Sequence, residues 1–161
     1  MGKYIENKDG EQSLPKRSEE LTSMVLAAMV DAAAHKTRTD VHHVLLALLS
    51  HDPYTQTVFS MRNKEDLSAI VNNLIACIQG QEVHISSQHK PGELMSEVTN
   101  ILNQATHTAA REHSPRVYPR HVLRAIFMQQ PTNYYAHLAV SRQLDMGILM
   151  QNFARYERRH Q

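Results

Sequence analysis

His43-Val44-Leu45-Leu46-Ala47-Leu48-Leu49 is matched 78 residues later by His121-Val122-Leu123-Arg124-Ala125-Ile126-Phe127. In each run a histidine leads, and apolar residues recur at the spacing of a helix buried along a broad face. A constant shift of 78 also carries Ser18-Glu19 onto Ser96-Glu97, Met24 onto Leu102, Ala27 onto Ala105 and Ala32 onto Ala110. It carries His35 onto His113, Arg38 onto Arg116, Ile70-Val71 onto Ile148-Leu149 and Ile75 onto Phe153. Chance supplies a few such matches, not a gapless register over most of both halves. The chain therefore reads as two copies of one unit.

Working outward, each unit has the punctuation of four helices. Ser18 caps a first helix whose opening turn holds Glu19 and Glu20, where acids complement the helix dipole. Leu21, Met24, Val25, Ala28, Met29, Ala32 and His35 follow at helical spacing, and this helix is expected to end near Lys36. Asp40 caps a second helix ending near Ser50, and Asp52-Pro53 opens a third running to about Met61. Asn63-Lys64-Glu65-Asp66 starts a fourth with Leu67, Ile70, Val71, Leu74, Ile75 and Ile78 on its apolar face, closed by Gly80. In the second unit Pro119 and Pro131 mark the starts of the sixth and seventh helices. The expected class is all-α: eight helices as two four-helix repeats related by a pseudo-two-fold axis, burying their stripes together. Residues 1–17 read as a disordered polar leader, 18–79 as the first repeat, 80–93 as a polar linker, 94–157 as the second repeat and 158–161 as a tail.

Composition narrows the function. The 161 residues suit a single domain large enough to fold without a disulfide or metal. Lys and Arg number 17 against 16 Asp and Glu, which argues against binding nucleic acid by phosphate neutralisation. Cys77 is the only cysteine and suits a reducing compartment. No apolar run approaches the roughly 18 residues of a membrane span, and the first residues lack the apolar core of a signal peptide. A cytoplasmic protein with no membrane association is expected. No Gly-x-x-x-x-Gly-Lys-Ser/Thr, Gly-x-Ser-x-Gly or His-Glu-x-x-His motif is present, so no catalytic residues are assigned and no cofactor is expected.

The repeat centre, an Ala-rich helix, a short turn and then His-Val-Leu-Leu-Ala-Leu-Leu or His-Val-Leu-Arg-Ala-Ile-Phe, resembles the duplicated N-terminal domain of Clp unfoldases. The Ala125-Ile126-Phe127 segment makes the ClpA type the nearest resemblance, which covers about residues 18 to 156. The resemblance implies a non-catalytic domain seated on a hexameric ATPase ring. Such a domain receives substrate proteins or a ClpS-like adaptor and passes them on. Six copies on a ring would strengthen weak contacts by multivalency. Two versions follow: the N-terminal domain of a longer unfoldase, which the end at Gln161 favours, or a free-standing accessory protein acting on a Clp ring in trans, which the polar leader favours.

The chain departs from that pattern at the first corner. The ClpA type carries acidic residues there, whereas residues 34–43 read Ala-His-Lys-Thr-Arg-Thr-Asp-Val-His-His, neutral to basic and one residue shorter. An adaptor docking on acidic groups would lose charge-assisted hydrogen bonds here. Lys36, Arg38 and His42, with Arg111, Arg116 and Arg120 at the related corner, are the candidate protein-binding residues. Tyr134 and Tyr135 join them, because adjacent tyrosines on a helix cannot both face a core and aromatics are frequent in binding hot spots. Although the chain holds 11 histidines, no three are spaced as metal ligands, and no intrinsic metal site is expected. His43 and His121 are expected to cap a neighbouring turn, and Cys77 to be a core thiol rather than a nucleophile. Rival classes are a helical nucleic-acid regulator, a histidine metalloenzyme and a structural dimer module.

Overall fold

The computed structural model describes residues 13–60, 67–79, 89–128 and 150–155. Among them the first repeat supplies α1 (Glu19–Ala34), α2 (Val41–His51), α3 (Pro53–Ser60) and α4 (Leu67–Gln79). The second supplies α5 (Ser96–Arg111), α6 (Pro119–Met128) and a helical stretch over 150–155. The class is all-α, as the periodicity implies. Pro131, Tyr134, Tyr135, Gly80, residues 61–66 and the expected seventh helix lie outside the described residues, as does the side chain of Cys77.

The helix starts follow from local chemistry. Ser18 Oγ accepts from the Leu21 N–H at 3.1 Å, satisfying one of the orphan donors of α1. Asp40 Oδ1 accepts from the His42 N–H at 2.9 Å, while His43 Nδ1 accepts in return from the Asp40 N–H at 3.1 Å. This is a capping box with imidazole in the place usually held by Glu or Gln. Asp52 Oδ2 accepts from both the N–H and the hydroxyl of Thr55, at 3.0 and 2.7 Å, and opens α3. In the second repeat His121 Nδ1 accepts from the Tyr118 N–H at 2.9 Å, with Pro119 at the first helical position of α6.

One expectation is corrected. The gapless shift of 78 holds for α2 and α6 but not for α1 and α5. The buried residues of α1 are Leu21, Met24, Val25, Ala28 and Ala32, and those of α5 are Val98, Ile101, Leu102, Ala105 and Ala109, a shift of 77 at every position. Met95, not Ser96, is the N-cap of α5, and it has no side-chain cap bond. Both helices end in the same left-handed turn. Lys36 (φ 56°) follows α1 and His113 (φ 59°) follows α5. Thr37 N–H donates to Ala32 O at 3.0 Å, and Ser114 N–H to Ala109 O at 2.9 Å. The odd residue lies in the corner, which runs over 35–40 in the first repeat and 112–118 in the second.

The segments read as leader and linker are partly tied down. Lys16–Arg17 forms a two-residue strand, β1, parallel to β2 (Arg116–Val117). Thr39 pairs in the same way with Leu94. Allowing for the extra residue, Arg17 corresponds to Leu94 and Val117 to Thr39. Each repeat's lead-in therefore pairs with the other repeat's corner. The bonds correspond too: Ser18 N–H to Val117 O and Met95 N–H to Thr39 O, both 2.9 Å. Two-residue strands carry almost no alternation, so the sequence offers no strand signal there.

A single core joins the repeats. α2 packs on α1, α4, α5 and α6, and α3 packs on α6. Phe59 meets Phe127 edge-on at 5.8 Å, and Phe127 lies 6.5 Å from Phe153. Asn152, fully buried, donates its amide to Val58 O at 2.9 Å. No helix among the described residues is long and apolar enough to cross a membrane.

Candidate functional site

The first corner is closed by the 89–93 segment. Gly92 N–H donates to Thr37 O at 2.8 Å, Thr39 N–H to Glu93 O at 2.9 Å, and Thr39 Oγ1 to Gly92 O at 2.8 Å. Gly92 has φ +84°, and a Cβ there would stand 2.8 Å from the Met29 carbonyl oxygen. Only glycine allows the turn to lie this close to α1. Between them runs a cleft of about 370 Å³ lined by Met29, Val30, Ala33 and residues 90–93. Beside it, Leu26 and Val30 are 58% and 61% exposed, one turn apart on the outer face of α1. The corresponding residues of α5, at a shift of 77, are Asn103 and His107, both exposed and polar.

Of the residues picked out by charge at this corner, Lys36 is exposed in the left-handed turn. Arg38 places Nε 3.7 Å from Glu93 Oε2, and His89 Nδ1 bonds the same carboxylate. His42 is corrected: it is buried at 3% exposure, not a docking residue. The first turn of α2 faces inward on both sides, and His42 Nδ1 lies 3.5 Å from Asp40 Oδ1. Burial opposes the Asp40 charge, but His42 and His43 beside it outweigh that and hold the carboxyl far below the usual carboxylate range. Across the gap on α5, burial and the Asp40 charge raise the Glu97 carboxyl against an opposing pull from His42.

The second corner is organised around Glu112. Arg120 Nη1 and His121 Nε2 both reach its Oε1, at 3.1 and 3.2 Å, and Arg124 Nη1 lies 4.0 Å from Oε2. The Arg120 guanidinium also lies 5.7 Å from the centre of the Tyr118 ring, which stacks on His121 at 6.0 Å. Burial opposes the Glu112 charge, but hydrogen bonds from Arg120 and His121 hold the group low. Burial and the Arg120 charge push His121 down, with Glu112 offsetting part of this. The geometry suits a neutral ring: Nδ1 accepts from Tyr118, so Nε2 carries the proton toward Glu112. Arg111 and Arg116 are exposed on the same corner, Arg111 donating to Thr108 Oγ1 at 3.2 Å. His43 makes the same cap as His121, yet its buried Nε2 has no hydrogen-bond partner among the described residues.

The structure thus gathers Arg111, Arg116 and Arg120 at one corner and Lys36 with Arg38 at the other. Charge reading missed the α1 cleft, and also Lys16, Arg17 and Arg124 beside the second corner. Leu26 and Val30, off the buried stripe of α1, were the signal for the cleft. Among the described residues no group of three or more His, Cys, Asp or Glu side chains could hold a metal ion.

No protein-family model and no curated protein matches the sequence. Solved structures do match. The N-terminal domain of the ClpV1 ATPase from E. coli EAEC superposes with a TM-score of 0.63 at 20% identity, over 84% of this chain and 82% of that one. The N-terminal domain of the Arabidopsis thaliana chaperone ClpD gives 0.61 at 11% identity, over 88% and 96%. A chain from structural investigations of a malarial protein secretion system gives 0.60 at 20% identity, over 88% and 94%. With its two interlocked repeats, histidine-capped second helices and single shared core, the chain has the fold of the N-terminal domains of Clp-type ATPases.

Proposed function

We propose that this chain is a non-catalytic receptor domain of a Clp-type unfolding machine, working in the cytoplasm, which holds an apolar-faced segment of a substrate protein or of an adaptor for delivery to the ATPase ring. The α1 cleft carries this reading. Leu26 and Val30 leave apolar surface in water where the other repeat has polar residues, and the cleft beside them has an apolar wall of Met29, Val30 and Ala33. Lys90 at its edge offers a charge to fix the direction of a bound segment. An amphipathic segment lying along α1 buries its apolar side chains there and keeps its polar face wet, the helix-in-groove mode. Single-site affinity is weak on so small a surface, which suits a domain that must release what it catches.

The test is binding of fluorescein-labelled, reduced and carboxymethylated α-lactalbumin, followed by anisotropy, to the chain and to the Leu26→Asp/Val30→Asp double variant. Both side chains already face water, so the fold tolerates the change. Removing the apolar contacts should weaken binding about fivefold or more, near 1 kcal/mol. Equal affinity would overturn the assignment to this cleft.

A further inference from the structure

The two strand pairings present the same two positions with different charges. In the first corner Glu93 precedes the paired Leu94, and Arg38 precedes Thr39. Arg38 Nε lies 3.7 Å from Glu93 Oε2, so this pair is complementary. Shifting Glu93 by 77 and Arg38 by 78, as the helices require, gives Lys16 and Arg116. These two are Cα partners in the β1–β2 ladder, both exposed and both cationic. Like charges directly opposite on a ladder destabilise it. The half that keeps a carboxylate at this point shows what the other half lacks.

The surroundings deepen the imbalance. Arg17 is exposed next to Lys16, Arg111 is exposed at the end of α5, and Arg120 and Arg124 stand one turn apart on α6. Among the described residues of this face, Glu112 is the acid that Arg120, His121 and Arg124 share. Arg120 is held in place between that carboxylate and the Tyr118 ring. A guanidinium fixed in this way loses little freedom on gaining a second carboxylate.

We infer that the face formed by β1, β2 and the second corner is a docking site for an acidic polypeptide segment, one of whose carboxylates takes between Lys16 and Arg116 the place that Glu93 holds beside Arg38. The occupant is a polypeptide rather than a nucleic acid for two reasons. The chain as a whole is balanced, at a net charge of +1, and so lacks the excess that phosphate backbones select. Glu112 at the centre of the cluster would repel a continuous row of phosphates, whereas an acidic segment can place neutral residues against it. This surface is separate from the α1 cleft and does not depend on the role proposed there.

The experiment measures anisotropy of a fluorescein-labelled dodecapeptide of alternating Glu and Ser with the full chain at low ionic strength. A Gln-Ser peptide and an oligothymidine of equal length serve as comparisons. Arg116→Gln and Lys16→Glu should each weaken Glu-Ser binding about threefold or more, and added salt should weaken it for the parent. Lys16→Glu should also raise the melting temperature, because it completes the ladder pair internally; stability and binding then move in opposite directions, which unfolding cannot produce. Leu26→Ser/Val30→Ser, which removes the apolar surface of the α1 cleft without adding charge, should leave this peptide's affinity unchanged. Equal binding of the Gln-Ser peptide, tighter binding of the oligothymidine, or no effect of either variant would overturn the proposal.

Discussion

The two helix corners are built from the same backbone parts and finished with different side chains. Each has a left-handed residue after its first helix, a histidine that caps the second helix, and a parallel backbone pairing with the lead-in of the opposite half. The first corner is sealed by the Pro91-Gly92 turn and organised around Glu93, which faces Arg38 and His89. The second is one residue longer and organised around Glu112, which is shared by Arg120, His121 and Arg124. Duplication kept the hydrogen bonds that shape the chain and left the outward side chains to diverge. The first half offers apolar surface and the second offers cations.

The comparison breaks most severely at the histidines. His43 and His121 are at most 1% exposed, and each accepts the N–H of its helix cap. Replacing either with Ala should cost about 2–4 kcal/mol, a core cavity plus a lost cap, read from urea denaturation. Costs below 1 kcal/mol would mean that the caps do not hold the corners. Next comes the glycine turn that closes the first corner. Gly92→Ala forces a Cβ against the Met29 carbonyl at a positive φ, and should lower stability by about 1–3 kcal/mol in the same assay. Pro15, the corresponding residue by the shift of 77, is not among the residues with a positive φ, and Pro15→Ala should cost less than Gly92→Ala.

The smallest effect separates the corners by pH. Folding holds His121 below its ordinary value of 6.5, so protons favour the unfolded chain. The stability tied to this residue is complete above about pH 6.5 and declines as the pH falls from there toward the lowered folded value. Protonation would also place a hydrogen on Nδ1, against the Tyr118 N–H. His121→Gln keeps a capping-box acceptor without titrating. It should flatten the melting-temperature profile just below about pH 6.5, before the steeper loss from Asp40 and Glu112 at carboxylate pH. A profile unchanged by the substitution would exclude His121 as its source.

Much of the architecture was legible because it is locally encoded. Ser18, Asp40, Asp52 and Pro119 each announce a helix start through a bond or constraint spanning three or four residues. The register of the first helices was not. In an Ala-rich helix, alanines match alanines at neighbouring shifts, and only burial distinguishes 77 from 78. His42 was misjudged for a related reason. The inward face of α2 at its first turn is wide enough to take two adjacent histidines, and periodicity does not report that width. Arg116 and Arg120 were visible as charges, but the pairing of Arg116 with Lys16 spans most of the chain and leaves no local trace. The tyrosine pair at 134 and 135 lies outside the described residues.

The crossed backbone pairings also determine how the domain carries load. A pull applied ahead of Ser18 reaches the Ser18 N–H bond to Val117 and so draws on the second half's corner before it strains α1. A pull along the segment before Met95 draws on Thr39 in the first half. Tension entering at either lead-in is passed crosswise, so the halves yield together rather than peeling apart in sequence.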